Sequence, residues 1–211
     1  MKKFFALAVI SGILAVGGSA EAGIIKFDDI TTNAIKCLSW DSNNDPYGRE
    51  HEHEGFMWKN FGVLDSTRSS DETHGYGYAK ANESGNYVAF NVCQQDLMLS
   101  WLGNDTNDTF NFNSAFLTAA KTDPLDITVT GTNSDSGHSQ SLLCTLHTDY
   151  RTKIYFNFKN IDTLTFSAGG DKNFAMDNFT FNEPVPEPAT LLLFGTGMAG
   201  LFAVRRKTLN L

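Results

Sequence analysis

The sequence predicts an all-β fold, a single β-sandwich, for residues 23–183. Roughly eight short runs of strand-forming residues recur between Gly- and Asn-rich turns, which is typical of a sandwich. Most of the 17 Phe residues fall in these runs and supply core volume for two packed layers. A domain of this length can bury an adequate core without metals or many disulfides.

The predicted strands follow one another along this region. Their bounds are 24–27, 87–91, 109–117, 127–130, 141–146, 153–158, 162–167 and 173–181. In 127–130 and 163–166, apolar side chains alternate with threonines, as a half-buried sheet requires. Residues 113–121 fit a helix as well as a strand.

The first 22 residues predict a signal peptide. Lys2 and Lys3 precede an apolar run at 4–16, and small residues lead to a cleavage site after Ala22. About 13 apolar residues are fewer than the roughly 20 that a bilayer core requires. We therefore expect signal peptidase and the export machinery to process the chain.

The exported region is acidic. Residues 23–183 contain 11 of the 16 Lys and Arg residues and 22 of the 24 Asp and Glu residues, a net charge of −11. The negative electrostatic potential of such a region repels nucleic-acid phosphates and anionic lipid surfaces. The charge excludes nucleic-acid binding and is compatible with cations, neutral glycans or plain solubility.

The three cysteines are Cys37, Cys93 and Cys144. In an oxidising compartment they predict one disulfide and one remaining thiol, with all three pairings open.

Residues 184–211 predict a membrane-inserting tail. The uncharged run 189–204 would span roughly 24 Å as a single transmembrane helix. Arg205, Arg206 and Lys207 form a basic stop that should stay on the cytoplasmic side. The intermediate is then anchored in the inner membrane with its middle domain outside.

A short motif precedes this helix. It comprises Val185, Pro186, Glu187, Pro188, Ala189 and Thr190. Its prolines favour an extended, accessible segment. Motif, apolar helix and basic stop together closely resemble the PEP-CTERM sorting signal. The resemblance implies recognition by an exosortase-like membrane enzyme of Gram-negative bacteria and delivery to the cell surface or medium, in organisms that make exopolysaccharide and biofilm matrix.

Four segments of the middle region resemble a recurrent extracellular domain that accompanies such tails. They are residues 55–61, 75–76, 84–91 and 174–181. That domain is similar to the jelly-roll sandwiches of carbohydrate-binding modules. Lys59 and residues 41–54 depart from this pattern, and the resemblance brings no assigned activity, so it assigns no binding residue.

Three aspartates are candidates for a structural Ca²⁺ site. Asp28 and Asp29 follow the first predicted strand, and Asp177 lies in the last one. Jelly-roll modules often bring these strands together, so by analogy the carboxylates could share an ion. Turn and capping roles are the alternative.

Residues 41–52 also carry oxygen ligands. Asp41, Asn43, Asp45 and Glu52 mimic the spacing of a calcium loop, but Pro46 occupies the place that needs a sharply turning Gly. An EF-hand is thereby disfavoured, which leaves a looser calcium site or a solvated loop.

Two histidines in the next stretch are candidates for a transition-metal site. His51 and His53 project to one side of an extended chain, and His74 or His138 could add a ligand. An exposed polar loop is the alternative.

An exposed indole could stack on a sugar ring, so the three tryptophans are candidates for glycan contact. Trp58 and Trp101 lie in apolar contexts that predict core positions, which leaves Trp40 as the candidate ligand-binding residue.

No G-x-S-x-G motif and no identifiable carboxylate pair predicts catalysis. The sequence therefore predicts a non-enzymatic exported protein, a structural or adhesive component of an extracellular polysaccharide matrix. A carbohydrate-binding module with a specific glycan is the alternative, and a glycan-active enzyme is a third interpretation.

Overall fold

The computed structural model describes residues 22–30, 36–37, 50–68, 77–103, 108–170 and 172–183. Within these ranges, 13 strands form a seven-stranded and a six-stranded antiparallel sheet, which confirms the predicted jelly-roll-like β-sandwich. The strands are β1 Gly23–Ile25, β2 Lys36–Cys37, β3 Glu50–His53, β4 Phe56–Lys59, β5 Phe61–Asp65, β6 Tyr87–Asn91, β7 Leu97–Trp101, β8 Phe110–Ala119, β9 Leu125–Asn133, β10 His138–Leu146, β11 Thr152–Ile161, β12 Thr163–Ser167 and β13 Phe174–Phe181. One short helix, α1, spans Tyr78–Ala81, and 3-10 turns lie at Ser66–Arg68 and Val92–Gln94.

The strand order brings the two ends of the domain together. The seven-stranded sheet runs β11-β8-β13-β6-β5-β2, and β1 pairs with β13 beside it. The six-stranded sheet runs β10-β9-β12-β7-β4-β3. Gly23 lies opposite Phe181 and Ile25 opposite Phe179, so the first and last strands meet as the jelly-roll analogy predicted.

Aromatic rings fill the space between the sheets. Phe112 stacks on Phe179 of its own sheet at a centroid distance of 4.7 Å and meets Phe166 of the other sheet at 5.9 Å. Trp58 is completely buried among them, which confirms its predicted core position. Full burial of each large apolar side chain contributes about 1.5–3 kcal/mol.

A second apolar cluster covers part of the outer face of the seven-stranded sheet. Tyr78 and Ala81 of α1 pack there with Leu64 and Phe90 of the sheet. The helix lies so close that a Cβ at Gly77 would overlap the Ala119 carbonyl. One part of this outer face is therefore buried by α1.

Asparagines shift the register of β11 and β13. Asn157, Asn160 and Asn178 have positive φ values of 52°, 52° and 50°, and the pairing with β8 slips at each of them. Asparagine tolerates this left-handed conformation better than most residues, so it suits a β-bulge. Because of the bulge at Asn178, Asp177 and Thr180 both lie on the outer face.

All eight predicted strands are present, and residues 113–121 belong mostly to β8 rather than to a helix. The alternation predicted for 127–130 is also confirmed, because Ile127 and Val129 are buried and Thr128 is exposed. In the described part of the chain, no helix is long and apolar enough to cross a bilayer. The predicted signal peptide at 1–22, apart from Ala22, and the predicted tail at 184–211 lie outside the described residues.

Candidate functional site

The loop between α1 and β6 is held by carboxylates from both ends of the domain. Asp177 Oδ2 accepts the backbone N–H groups of Glu83 at 2.7 Å and Ser84 at 2.8 Å. Its other oxygen, Oδ1, accepts the N–H of Asn178 at 2.7 Å. This carboxylate therefore acts as a hydrogen-bond acceptor that ties the loop to β13.

Asp28 holds the other half of the same loop. Its Oδ1 accepts the backbone N–H groups of Asn86 at 2.9 Å and Tyr87 at 3.2 Å. Gly85 lies against this carboxylate with φ at +57°, and a Cβ there would overlap it. The loop can approach Asp28 this closely only because residue 85 is glycine.

The environment of Asp177 alters its protonation. The side chain is completely buried, and this desolvation raises its pKa to about 6 although three backbone N–H groups act in the opposite direction. The nearby Asp28 raises the pKa further. Asp177 therefore titrates close to physiological pH.

The three aspartates of the predicted calcium site lie in two different places. Asp28 and Asp177 converge on one loop, whereas Asp29 is exposed and lies beside His53 in the β3–β4 hairpin. Calcium binding by Asp28 and Asp177 stays a prediction.

An exposed aromatic face lies on the outer side of the seven-stranded sheet, on β8 and the edge strand β11. Tyr155 is 63% exposed. Lys153 Nζ lies 5.2 Å from the centre of the Tyr155 ring and 5.5 Å from that of Phe116, so one ammonium group contacts both rings. We call Phe116, Lys153 and Tyr155 the aromatic face.

Polar residues continue this face across the sheet. Tyr155 pairs with Ser114 of β8, which pairs with Thr180 of β13. In the neighbouring row, Phe116 pairs with Asp177. Ser114, Asp177 and Thr180 are buried, so the part of this face that a ligand could contact consists of Phe116, Lys153 and Tyr155.

The aromatic face was not predicted from the sequence. Tyr155 lies in a strand that was predicted, where Ile154, Phe156 and Phe158 are apolar and Lys153 and Lys159 are charged. Period-2 alternation places Tyr155 with the lysines on the outer face. An aromatic residue on the polar side of a predicted strand is the signal that could have identified it.

Two of the tryptophan predictions can be compared with the structure. Trp58 is a core residue, as described above. Trp101 is half-buried: its ring meets Phe56 at 4.7 Å and Phe181 at 5.7 Å, and it lines a cleft of about 390 Å³. Trp40 and the oxygen-rich stretch 41–49 lie outside the described residues.

The predicted placement of His51 and His53 on one side of an extended chain is confirmed, whereas metal binding by them stays a prediction. His51 pairs with Trp58 and His53 with Phe56, so both histidines lie on one face of β3. The suggested third ligand His138 is wrong, because β10 and β3 are the opposite edges of the six-stranded sheet. His74 lies outside the described residues.

A second histidine cluster lies in loops at one end of the sandwich. Asp123 Oδ1 lies 2.8 Å from His147 Nδ1, and the Thr148 hydroxyl donates to Asp123 Oδ2 at 3.2 Å. Asp149 lies close by. The known partners of Asp123 account for its position without a ligand.

Cys144 is a free thiol buried in the core, and burial raises its pKa to about 11. The two predicted pairings that involve Cys144 are therefore absent. The side chains of Cys37 and Cys93 lie outside the described residues.

Comparison with solved structures gives distant similarities. A mutant of CBM29-2, a family 29 carbohydrate-binding module, is 10% identical, with 78% of this chain and 92% of that chain covered and a TM-score of 0.35. TmCBM61 in complex with β-1,4-galactotriose is 8% identical, with 62% and 89% covered and a TM-score of 0.37. The CBM22-1–GH10 modules of the Clostridium thermocellum xylanase Xyn10B, complexed with xylohexaose, are 11% identical, with 51% and 23% covered and a TM-score of 0.36. Scores this low carry no argument about the ligands of this chain.

Comparison with known sequences gives one specific result. No curated protein matches the chain. The family model of the PEP-CTERM protein-sorting motif matches residues 184–207. The chain therefore carries a PEP-CTERM protein-sorting motif after a jelly-roll-like β-sandwich, and it is an exported, membrane-transiting protein.

Proposed function

We propose that this chain is a non-catalytic surface or secreted protein that serves as a structural or adhesive component of an extracellular polysaccharide matrix. The sorting motif at 184–207 is the observation that carries the proposal. In this account an exosortase-like enzyme is the delivery partner, and the β-sandwich is the part of the chain that it delivers.

The chemistry of the tail explains how such an enzyme would recognise it. Residues 189–204 are uncharged and would partition into the bilayer as a transient anchor. Pro186 and Pro188 keep the preceding segment extended, and the charge of Glu187 keeps it out of the hydrocarbon. An extended strip held at the membrane surface is accessible to a membrane-embedded enzyme.

Replacement of Pro186, Glu187 and Pro188 by alanine tests this proposal. We expect the variant to be retained in the membrane at full length, because the recognised strip is lost while the anchor is kept. Cell fractionation with immunoblotting measures the released share. The matched control is Glu183→Ala, which removes a carboxylate just upstream of the matched residues and should be released normally. Equal release of the triple variant would contradict the proposal.

The aromatic face favours a second candidate function, a carbohydrate-binding module. Tyr155 exposes 63% of its surface at an edge strand, where burial in the core does not account for it. Lys153 extends along both rings and supplies a hydrogen-bond donor next to them. A neutral glycan could stack on Tyr155 while its hydroxyls bond to Lys153.

Substitution Tyr155→Ala tests this second function. We expect about tenfold weaker binding to a neutral polysaccharide, equivalent to about 1.4 kcal/mol, with unfolding free energy changed by less than about 0.5 kcal/mol. Affinity electrophoresis against a panel of soluble neutral polysaccharides measures binding. Tyr150→Ala is the control, since Tyr150 is 50% exposed but stacks on His147 in a loop. No binding by the unaltered protein would remove this function and leave the structural one.

A further inference from the structure

Three side chains of metal-ligand type meet at the β3–β4 hairpin. His53 ends β3, Glu54 follows it in the turn, and Asp29 comes from the segment after β1. One ligand atom from each residue lies within 4.8 Å of the other two. Two adjacent residues of the hairpin and one from a distant segment thus place one nitrogen and two carboxylates around a common point.

The imidazole of His53 is largely buried, and its Nε2 atom lacks a hydrogen-bond partner. Its side chain is 11% exposed and its ring stacks on Phe27 at a centroid distance of 6.3 Å. The Nε2 atom is buried and has no hydrogen-bond partner. Its nearest carboxylate oxygen, Asp29 Oδ1, is 3.8 Å away, too far for a hydrogen bond. An unsatisfied buried polar atom costs about 1–3 kcal/mol, so a missing partner is indicated.

The two carboxylates near that nitrogen are exposed to solvent. The Asp29 side chain is 61% exposed, and Glu54 is also exposed. Both line a cleft of about 260 Å³, through which an ion and its water ligands could enter. The site therefore combines one buried nitrogen ligand with two exposed carboxylates.

We propose that Asp29, His53 and Glu54 bind a divalent transition-metal ion of the zinc class, with water completing its coordination. Imidazole nitrogen and carboxylate oxygen together suit such ions, whereas calcium takes oxygen ligands. Two atoms bound to zinc at about 2.0–2.1 Å lie at most about 4.2 Å apart, and the observed 3.8 Å falls within that limit. The ion would fasten the segment after β1 to the β3–β4 hairpin.

A comparison with the second histidine cluster supports this assignment. In the first cluster the buried His53 Nε2 atom has no hydrogen-bond partner. By contrast, His147 Nδ1 already lies 2.8 Å from Asp123 Oδ1, so the second histidine cluster has no comparable unpartnered atom. The first cluster alone therefore carries the proposal.

Titration of the full chain with Zn²⁺, in detergent micelles and followed by calorimetry, tests the site. We expect the unaltered protein to bind Zn²⁺ and to melt at a higher temperature with it. His53→Gln and Asp29→Asn should each weaken binding by at least about tenfold and abolish that rise. Asp29→Asn decides the result if His53→Gln fails to fold, since Asp29 is exposed.

The matched controls lie on the same strand. His51→Gln removes an exposed histidine two residues away, and Glu52→Gln removes an exposed carboxylate from the other face of β3. Both should bind Zn²⁺ as the unaltered protein does. The proposal is overturned if the unaltered protein binds no Zn²⁺, if Asp29→Asn binds it equally well, or if the controls lose binding to the same extent.

Discussion

Asp28 and Asp29 are adjacent in the sequence, yet they occupy two chemically different regions. Asp28 accepts two backbone N–H groups of the 82–87 segment, beside the buried Asp177. Asp29 points to the other side of the chain, where its oxygen lies 3.8 Å from His53. The first region is a closed set of hydrogen bonds within the protein, and the second leaves the buried His53 Nε2 atom unpaired.

This difference shows that a carboxylate's surroundings decide its role. Where backbone N–H groups converge, a carboxylate orders a loop and contributes to stability. Where a carboxylate is exposed beside an unpartnered imidazole, it contributes little to stability and is available to a ligand. Perturbing the two regions should therefore have unequal effects.

Substitution Asp177→Ala should have the largest effect. It leaves three backbone N–H groups without their acceptor, and we expect the free energy of unfolding to fall by about 3 kcal/mol. Chemical denaturation measures the loss. Asp126→Ala is the control, because exposed Asp126 accepts one side-chain hydrogen bond from Thr145 and its loss should cost less than about 1 kcal/mol. Equal losses would show that Asp177 does not order the loop.

Substitution Gly85→Ala should destabilise the protein by about 2 kcal/mol. Part of this is backbone strain at φ +57°, about 1 kcal/mol, and the rest is overlap with the Asp28 carboxylate. Gly137→Ala separates the two causes, since φ there is +67° and no atom lies within 4 Å of the added Cβ. If thermal melting shows the same loss for both variants, the close approach of the loop to Asp28 is not important.

The pH dependence of the stability contributed by Asp177 should be the next largest effect. Because the pKa of Asp177 is raised in the folded state to about 6, the folded protein binds the proton more tightly than the unfolded chain. Stability from this group is therefore greatest at low pH and is lost as the pH rises through about 6. We expect the difference in unfolding free energy between the unaltered protein and Asp177→Asn to shift by about 1 kcal/mol in favour of the unaltered protein between pH 7 and pH 5. A pH-independent difference would contradict this.

Substitutions of the adjacent residues Asp28 and Asp29 should have the smallest effects on stability. Asp28→Ala should lower the free energy of unfolding by about 1 kcal/mol, because two N–H groups lose their acceptor. Asp29→Ala in metal-free buffer should change it by less than about 0.5 kcal/mol. Urea denaturation of both variants makes the comparison directly, and a reversed order would refute it.

Much of the fold can be predicted from the alternation of apolar and polar residues along the strands. Strands with one solvent-facing side, such as β9 with buried Ile127 and exposed Thr128, were predicted correctly. Five strands were missed, and two of them, β3 and β5, lack such a pattern. In β5 four consecutive residues are buried, since the core lies on one side and the α1 cluster on the other. Strand β3 reads Glu-His-Glu-His and carries no apolar residue at all.

The sites were less predictable because they depend on contacts between distant segments. Pairing of the first and last strands explains why Asp28 and Asp177 could be expected near each other. No local pattern shows that Asp29 turns towards His53, because that contact depends on how Phe27 packs against the β3–β4 hairpin. Tyr155 could have been identified from alternation alone.

The most direct test of the central claim is the mass of the protein recovered from the cell surface and the medium. Intact-mass spectrometry with sequencing of both termini should show a chain that begins at Gly23 and ends close to the Val185–Thr190 motif, without the apolar run and basic stop. Recovery of an untrimmed chain from Met1 to Leu211 in those fractions would contradict export with removal of the tail.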